Sequence, residues 1–417
     1  MEKHLLSKAL TKEDYTYLNN LAQLYKFSFQ QMRFLIETAV DLSLWQMGPL
    51  SDYIDENVKP NLSGKPKVKA IIEDLNTKVL AIKNEPTKYD DFKAPINKAR
   101  KSVTLELSNN DKLLGSCPCP SSGEKNRCCN LLTLDAVKQC AYGCSYCSIQ
   151  SFYNNDKVIF TKDLAKRLDS LELPEGSWHI GTGQASDSLM WANKYGLLDA
   201  LVTFANKHKD VVIELKTKSG RTDYLEEITF APNIVATWSL NGPTIVEKEE
   251  HGTSSVDKRI EAAAKASEKG IAIGFHFHPM VYYENWEQEY KAIVDRIVEL
   301  FEPSQLIMLS MGTLTFSKES LKQLRLSGQK SRILQMPLVE AAGKYSYPLE
   351  LKEKLFKTLY NYFPLKWRQD ENLFFYLCME LPQLWSPVFG YEYESNAQFE
   401  TAMKNSYLNS LKRNFGL

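Results

Sequence analysis

The sequence has no excess of charge of either sign. Its 417 residues carry 51 Lys and Arg against 51 Asp and Glu, so the formal net charge is zero. A protein held on nucleic acid mainly by bulk positive charge is therefore not expected, although a local basic groove is compatible with this balance. Hydrophobic residues make up 43% and charged residues 24%, which is ordinary for a soluble globular protein.

Segments that would direct the chain into or across a membrane are also missing from the pattern. Residues 1–8 lack the apolar core of a signal peptide, and no apolar run reaches membrane-spanning length. We therefore expect a cytoplasmic protein without a membrane partner. Thiols stay reduced in that compartment, so the eight cysteines are better interpreted as metal ligands than as disulfides.

The segment 140–147 contains three cysteines and lacks a fourth. Cys140, Cys144 and Cys147 follow the spacing C-x3-C-x2-C, and Tyr146 stands directly before the third. Structural zinc sites and most cubane iron–sulfur clusters take four protein ligands. Three thiolates would leave one iron open, and the amino and carboxylate groups of S-adenosylmethionine could chelate it. An electron from the cluster would then break the sulfonium C–S bond, which protein side chains cannot do.

This octet resembles the cluster motif of the radical S-adenosylmethionine enzymes, which reads C-x3-C-x-aromatic-C. The spacing, the aromatic residue at Tyr146 and the position after a predicted strand all agree with that motif. The resemblance implies a 4Fe-4S cluster on Cys140, Cys144 and Cys147, with S-adenosylmethionine on the remaining iron. It also implies an electron donor such as flavodoxin or ferredoxin. The alternative is a chance grouping of three thiols in a loop.

From residue 131 onward, apolar runs alternate with helical stretches. The apolar runs predict six buried strands, at 131–137, 178–181, 211–218, 234–241, 271–281 and 305–315. Six βα units in series imply a parallel sheet with right-handed crossovers. Six strands are too few for a closed eight-stranded barrel, so we predict an α/β fold with a partial (βα)6 TIM-type barrel. Ligands of such sheets bind at the carboxyl ends of the strands.

The predicted barrel, residues 131–330, is flanked by three other regions. Residues 1–95 have apolar residues at helical spacing and form either a cap on the barrel or a module for a partner or substrate. Residues 96–130 are a cysteine-rich loop or linker. Residues 331–417 form a C-terminal α-rich extension.

A second group of cysteines precedes the barrel. Cys117, Cys119, Cys128 and Cys129 are candidates for a second metal site or an auxiliary cluster. The adjacent pair Cys128 and Cys129 is awkward for one ion, because neighbouring side chains usually point apart. The alternative is a reduced loop that covers the first cluster.

A closer resemblance is carried by residues 250–263, which read EHGTSSVDKRIEAA. This stretch looks like a signature of spore photoproduct lyase and its relatives, which repair a thymine dimer adduct in DNA by radical chemistry. Shorter pieces agree in the same order at 185–187, 217–218, 238–241, 274–275 with Pro279, and 284–287. The fold and cofactor of that family are expected to extend over this part of the chain.

The resemblance also implies which residues contact S-adenosylmethionine. The implied cofactor contacts are Tyr146, Gly183, Ser186, Lys218, Ser239 and Asn241, and Tyr146 beside the adenine is the implied catalytic residue. A lysine can pair with the cofactor carboxylate, and hydroxyls can bond its ribose or carboxylate. The residues alone leave two alternatives open, an exposed strand-end charge at Lys218 and a helix cap at Ser186 and Asp187.

Two departures from the lyase pattern concern the return of a hydrogen atom to the product. The lyases have a cysteine shortly before the Ser–Asp pair, where this sequence has Gln184, and a tyrosine after the third cluster cysteine, where it has Ser148. Glutamine has no weak S–H bond and cannot donate a hydrogen atom, so we do not expect the hydrogen-return path of the lyases at this position. Cys378 could replace the donor in space, although a buried cysteine packed among apolar residues is typical of a core.

Two histidines on the fifth predicted strand face the same side, because His276 and His278 are two residues apart. They are candidates for binding a metal or substrate or for moving protons. The alternative is a pair of hydrogen-bonded histidines in a polar barrel interior.

The sequence therefore predicts a radical S-adenosylmethionine enzyme that generates a 5′-deoxyadenosyl radical to abstract hydrogen from a substrate. That substrate is a nucleic acid base or, given Gln184 and the zero net charge, a molecule other than DNA. An alternative from another class is a non-catalytic nucleic-acid-binding protein stabilised by metal at both groups of cysteines.

Overall fold

The computed structural model describes residues 4–95, 102–106, 112–117, 125–147, 149, 157–341 and 343–417. Its strands are β1 Ser102–Glu106, β2 Leu114–Ser116, β3 Leu132–Leu134, β4 Val137–Lys138, β5 Gly143–Cys144, β6 Lys157–Thr161, β7 His179–Thr182, β8 Val212–Thr217, β9 Ile234–Ser239, β10 Glu250–His251, β11 Ala272–Met280, β12 Leu306–Thr313, β13 Thr315–Phe316, β14 Val339–Ala341, β15 Lys344–Ser346 and β16 Phe374–Leu377. Its α-helices are α1 Lys12–Leu24, α2 Phe29–Trp45, α3 Gly64–Asn84, α4 Leu164–Asp169, α5 Leu197–Lys207, α6 Pro243–Glu249, α7 Val256–Glu268, α8 Trp286–Leu300, α9 Lys318–Ser327, α10 Leu349–Tyr362, α11 Leu365–Arg368, α12 Trp385–Phe389 and α13 Asn396–Asn414.

The central sheet has eight strands in the order β16-β12-β11-β9-β8-β7-β3-β2. The strands from β16 to β3 pair in parallel, and β2 pairs antiparallel with β3 at one edge. The sheet curls into a half-barrel, which confirms the predicted fold class. The six predicted strands are present as β3, β7, β8, β9, β11 and β12. They are apolar because helices cover the outer face while the inner face is enclosed by the curl.

Helices seal the outer face of the half-barrel. Helix α7 begins after Ser255, whose hydroxyl accepts a hydrogen bond from the Lys258 amide, and it packs on β9 and β11. Its buried side includes Ile260 and Ala263. Helix α13 packs on β12 and β16 in the same way. Each helix therefore buries one apolar stripe and leaves its charged face to solvent.

The sheet extends beyond the predicted barrel at both edges. Strand β16 comes from the region assigned to the C-terminal extension and pairs with β12, while β2 comes from the cysteine-rich linker. The aromatic run at 373–378 did not predict a strand, because a short apolar run does not distinguish a strand from a buried helix segment.

The two edges of the sheet are tied together by the segments that flank them. The Arg127 amide donates to the Glu380 carbonyl at 3.1 Å, and Asn126 Nδ2 donates to the Met379 carbonyl at 2.6 Å. Residues 125–131 lead into β3, and residues 378–380 follow β16. We call these two contacting segments the seam. The seam brings together parts of the chain that are about 250 residues apart.

The predicted N-terminal helical region is formed by α1, α2 and α3. Arg325 of α9 makes two hydrogen bonds to the Asp41 carboxylate of α2, at 2.7 and 2.9 Å. Tyr89, which follows α3, donates to the buried Glu249 carboxylate at 2.8 Å. This region is therefore docked on the barrel close to β10. In the described parts of the chain, none of the helices is both long and apolar enough to cross a bilayer.

Candidate functional site

The carboxyl ends of the parallel strands open into a cavity of about 320 Å³. This volume lies within the range of small-molecule sites, about 300–1,000 Å³. The predicted site residues that line the cavity are Cys140, Cys144, Tyr146, Cys147, Gly183, Ser186, Lys218 and Ser239. These residues come from four different segments of the chain. The fold therefore gathers most of the site that the sequence predicts.

Asn241 is the predicted site residue that lies off the cavity wall. Its amide nitrogen donates to the Pro279 carbonyl at 2.9 Å. Its amide oxygen accepts from the Gly242 amide at 3.0 Å and from the Tyr290 hydroxyl at 2.7 Å. The side chain is fully buried, so these bonds join the ends of β9 and β11. Asn241 thus stabilises the strand ends through hydrogen bonds and does not face the cavity.

The cysteine loop is held by the short strand that follows α6. Strands β5 and β10 pair antiparallel, with Cys144 opposite Glu250. The Ser145 amide donates to the Glu249 carbonyl at 2.8 Å, and the Ser145 hydroxyl donates to the Glu249 carboxylate. Burial raises the pKa of Cys144 to about 12, although Lys218 opposes this rise. The loop therefore presents protonated thiols until a metal replaces the protons.

The three thiols of the loop suit a cluster better than a single ion. In the described part of the chain, no three His, Cys, Asp or Glu side chains converge closely enough to ligate one metal ion. Cys140, Cys144 and Cys147 nevertheless line one cavity, and charges on Cys144 and Cys147 would affect the Cys140 thiol. An iron–sulfur cluster is larger than one ion, so its thiolates stand further apart than the ligands of zinc. The donor set fits a cluster with one open iron.

A hydrogen-bonded group of four side chains forms the wall next to this loop. Lys218 Nζ donates to the Tyr146 hydroxyl oxygen and to Glu250, each at 2.7 Å, and the Tyr146 hydroxyl donates to the same carboxylate. Arg259 Nη2 donates to the other carboxylate oxygen at 2.6 Å. Two cations thus face one carboxylate, which leaves one excess positive charge in the group. Such a wall favours an anionic group of a ligand.

Electrostatics keep the Glu250 carboxylate ionised. Burial by itself would raise the pKa of Glu250, but Arg259 and Lys218 lower it to about 2. The Arg259 side chain is fully buried and also donates to the Ser239 carbonyl at 2.8 Å. The same arginine therefore fixes both Glu250 and the end of β9, where the predicted cofactor contact Ser239 stands.

The sequence analysis assigned no role to Glu249, Glu250 or Arg259. The available signal was the stretch 250–263, which carried the family resemblance and contains two of the three residues. Neither the periodicity of α7 nor its charge pattern shows that Arg259 points inward, because charged residues on helices are usually exposed.

Asp187 organises the turn after β7 and the end of β8. Its carboxylate accepts from the amides of Leu189 and Met190 and, on β8, from the Thr217 hydroxyl at 2.7 Å and the Lys218 amide at 2.6 Å. It therefore caps a local turn, whereas the next helix, α5, begins only at residue 197. The neighbouring Ser186 hydroxyl donates to the Gln139 carbonyl at 3.4 Å, next to the cysteine loop.

Gly183 is required by the packing of β7 on β8. Its φ is +87°, and a Cβ atom there would lie 2.7 Å from the Lys216 carbonyl oxygen and 2.8 Å from Ser188 Oγ. A side chain is excluded by both the backbone conformation and the neighbouring backbone. Gly183 thus lines the cavity as a consequence of strand packing.

The histidines of β11 differ in their surroundings. His276 Nε2 contacts Glu214 at 2.6 Å, and His179 Nε2 contacts the other Glu214 oxygen at 3.0 Å. Burial would raise the pKa of Glu214, but Lys216 and His276 hold it well below its ordinary value. His276 therefore belongs to a hydrogen-bonded polar interior. Like His276, His278 lines the cavity, and burial and nearby positive charge lower the pKa of His278 to about 3.

The remaining predicted features fall partly outside the described residues. Gln184, at the position aligned with the lyase cysteine, lines the cavity. Ser148 and Cys119 lie outside the described residues. Cys378, considered as a core residue or a substitute hydrogen donor, lines the same cavity as the cysteine loop.

Comparisons with known proteins agree with the fold. The family model described as spore photoproduct lyase matches residues 139–335. A spore photoproduct lyase of Clostridium acetobutylicum is 25% identical over 169 residues, which cover 39% of this chain and 50% of that protein. The chain thus spans about half the length of this curated relative.

Solved structures share the fold. Spore photoproduct lyase complexed with dinucleoside spore photoproduct aligns with a TM-score of 0.53 and 18% identity, covering 67% of this chain and 83% of that one. A lyase mutant with bound AdoMet and dinucleoside spore photoproduct aligns with a TM-score of 0.52 and 18% identity, covering 68% and 83%. The family match includes the cysteine loop, and the structural match includes the half-barrel around it. Residues 139–335 are therefore similar to the spore photoproduct lyase family, and the half-barrel shares the fold of the solved lyases.

Proposed function

We propose that this protein is a radical S-adenosylmethionine enzyme whose cluster is held by Cys140, Cys144 and Cys147. The observation that carries the proposal is that these three thiols share one cavity with a cationic wall at Lys218. When bound, a 4Fe-4S cluster and S-adenosylmethionine supply reductive cleavage of the sulfonium to a 5′-deoxyadenosyl radical that abstracts hydrogen from a substrate. The cluster is reduced by a donor such as flavodoxin or ferredoxin, which fits a cytoplasmic protein.

The residues of the chain bind and orient the cofactor. Lys218 would pair with its carboxylate, because the Lys218–Tyr146–Glu250–Arg259 group leaves this end of the cavity with excess positive charge. Tyr146 would lie beside the adenine, and its hydroxyl oxygen accepts a hydrogen bond from Lys218. Ser186 and Ser239 offer hydroxyl groups at two further strand ends. Gly183 keeps the wall between them thin.

We further infer a nucleic acid base as the substrate. The support is the lyase family match, together with the description of a solved lyase as complexed with dinucleoside spore photoproduct. Lys216 and Arg127 also line the cavity and supply positive charge for an anionic backbone. Gln184 cannot return a hydrogen atom, so the reaction ends differently from that of a lyase with a cysteine at this position.

The cluster assignment is tested by the Cys144→Ala variant. We expect it to lose the brown colour of anaerobically reconstituted protein and to form no 5′-deoxyadenosine from S-adenosylmethionine with dithionite. Ala141→Ser, in the same loop but not on the cavity wall, is the matched control and should retain both. Formation of 5′-deoxyadenosine by Cys144→Ala would remove this loop from its assigned role. A colourless, zinc-loaded wild-type protein would favour the non-catalytic alternative.

The substrate assignment is tested by anaerobic turnover with deuterium-labelled candidates. Deuterium transferred from a labelled thymine photoproduct in DNA into 5′-deoxyadenosine would support a nucleic acid base. Formation of unlabelled 5′-deoxyadenosine with every labelled DNA lesion would instead favour a molecule other than DNA, while leaving the cluster assignment intact.

A further inference from the structure

A second set of thiols lines the same cavity, on or beside the seam. Cys117 follows β2, Cys128 and Cys129 precede β3, and Cys378 follows β16. We call these four residues the seam cysteines. Three of them belong to the group that the sequence suggested as a second metal site. The fourth, Cys378, comes from the other edge of the sheet, about 250 residues later.

The backbone around the seam cysteines is fixed by hydrogen bonds. The Cys378 amide donates to the Met311 carbonyl at 2.7 Å, which continues the β12–β16 pairing by one residue. The Cys117 amide donates to the Leu131 carbonyl at 3.0 Å, which continues the β2–β3 pairing. The Cys128 amide donates to the Asn396 side chain at 3.1 Å, at the start of α13. Both edges of the sheet thus deliver a cysteine to the same cavity.

The four thiols are close enough to affect one another's ionisation. Burial raises the pKa of Cys129, and charges on Cys378, Cys117 and Cys128 would raise it further. Burial likewise raises the pKa of Cys378 to about 12, with Cys117 and Cys128 as further contributors. Four thiols that line one cavity are a set of soft metal ligands, and each loses its proton when it binds a metal.

A half-buried lysine faces this set. Lys216 of β8 lies 3.8 Å from the Glu214 carboxylate, and charges on Cys378, Cys117 and Cys129 would stabilise its ammonium group. In return, Lys216 lowers the pKa of the Cys129 and Cys378 thiols. The cation would therefore offset part of the negative charge that several thiolates and a metal centre bring into the cavity.

We propose that Cys117, Cys128, Cys129 and Cys378 hold a second iron–sulfur cluster, built from iron and inorganic sulfide, at the seam of the half-barrel. Four cysteine thiolates are the usual ligand set of a cubane cluster. A single zinc ion fits less well, because no three ligating side chains among the described residues converge on one point. A cluster has separate irons, so the adjacent residues Cys128 and Cys129 can bind different ones.

This assignment changes the ligand set that the sequence suggested. Cys378 stands in the set, whereas Cys119 lies outside the described residues and is not part of it. The cluster would also link the cysteine-rich linker to the C-terminal region, which already meet through hydrogen bonds that include those at Arg127, Asn126 and Cys128. It would share the cavity with the cluster of the radical chemistry.

The test starts from a variant in which Cys140, Cys144 and Cys147 are all alanine. This protein cannot hold the first cluster, so the result does not depend on the proposed cleavage of S-adenosylmethionine. After anaerobic reconstitution and desalting, we expect about four irons and four sulfides per chain, with the Mössbauer signature of a 4Fe-4S cluster. Adding Cys378→Ala to this background should reduce bound iron at least fourfold.

Tyr376→Phe in the same background is the matched control, because Tyr376 lines the cavity on β16, two residues before Cys378. It should keep all of the iron. If the triple variant does not fold, the single Cys378→Ala variant of the otherwise intact chain should hold about four irons instead of about eight. Unchanged iron content after Cys378→Ala, or a triple variant that binds only zinc or no metal, would overturn the proposal.

Discussion

Lys218 shows how strongly the behaviour of one side chain depends on its neighbours. From the residues alone, an exposed charge at a strand end was a reasonable interpretation. The structure instead gives Lys218 two hydrogen-bonding partners, and its ammonium group lies 5.2 Å from the centre of the Tyr146 ring. This position pre-orders the lysine for a ligand carboxylate, because its side-chain entropy is largely lost before binding.

Replacing Lys218 by methionine should weaken binding of S-adenosylmethionine. The variant keeps most of the apolar stem and removes one charge-assisted hydrogen bond, worth about 1.5–3 kcal/mol, so Kd should rise about 10- to 100-fold. The measurement is titration calorimetry on reconstituted protein. Lys194→Met, an exposed lysine beside Tyr195, should leave Kd unchanged. An unaltered Kd in Lys218→Met would contradict the assigned role.

The ionisation of Glu250 should make the free energy of unfolding depend on pH. The folded-state pKa of Glu250, about 2, lies below the ordinary value of 4.5. The stabilisation that the carboxylate provides is therefore fully present above pH 4.5 and is lost as the pH falls towards 2. Glu250→Gln leaves Arg259 without its buried partner, which costs about 3–5 kcal/mol near neutral pH. The difference in the free energy of unfolding between Glu250→Gln and the wild type, measured by urea unfolding, should become smaller between pH 5 and about pH 2. Glu247→Gln, on the exposed side of α6, should show no such difference at any pH.

At the scale of elements, short strands with few residues position the chemistry. Strand β10 is two residues long, yet it holds the cysteine loop through β5 and carries Glu250, while Glu249 is the last residue of α6 directly before it. The Glu249 carboxylate accepts hydrogen bonds from Tyr89, Ser145 and Ser331, which belong to three regions of the chain. The loop is thereby fixed from the N-terminal and C-terminal sides at once.

The close approach of β7 to β8 can be tested at Gly183. Alanine there would combine a left-handed backbone with a contact of 2.7 Å to the Lys216 carbonyl oxygen, so we expect destabilisation by about 1–3 kcal/mol or more. Gly176→Ala provides the control, because its φ is +78° but no atom lies within 4 Å of the added Cβ. Thermal unfolding should show the larger loss for Gly183→Ala. Equal losses of stability in the two variants would mean that the left-handed backbone, and not the close contact with Lys216, accounts for the effect at Gly183.

At the scale of the whole molecule, the half-barrel is closed by residues distant in sequence. Glu380 at the seam is fully buried and accepts from Thr313 at the end of β12 and, at 2.6 Å, from Lys352 of α10. Its carbonyl accepts from the Arg127 amide. One residue therefore connects the sheet, the C-terminal helices and the cysteine-rich linker.

Removing the charge of Lys352 should loosen this closure. Lys352→Met leaves the Glu380 carboxylate buried without a cation, which costs about 3–5 kcal/mol and lowers the midpoint of thermal unfolding. Lys354→Met, two residues along the same helix, breaks an exposed pair with Glu287 and should cost at most about 1 kcal/mol. Indistinguishable midpoints for the two variants would show that the seam carries little of the stability.

The strands and the cysteine loop could be predicted because their signals are local. Buried parallel strands need continuous apolar runs, and a loop that binds a cluster needs closely spaced thiols. The roles of Asn241 and Asp187 were harder to predict. An amide or carboxylate at a strand end gives the same sequence pattern whether it contacts a ligand or the neighbouring backbone. Their hydrogen-bonding partners, at Pro279 and Lys218, lie 38 and 31 residues away.

By itself, the sequence determined the half-barrel and the three-thiol loop, since each depends on residues near one another in the chain. Only the tertiary structure decided that Arg259 points inward to Glu250 and that Cys378 joins Cys117, Cys128 and Cys129. These placements depend on how far the sheet curls and on which segments close its edges. That curvature is set by the packing of many helices on the sheet, so no single stretch of sequence encodes it.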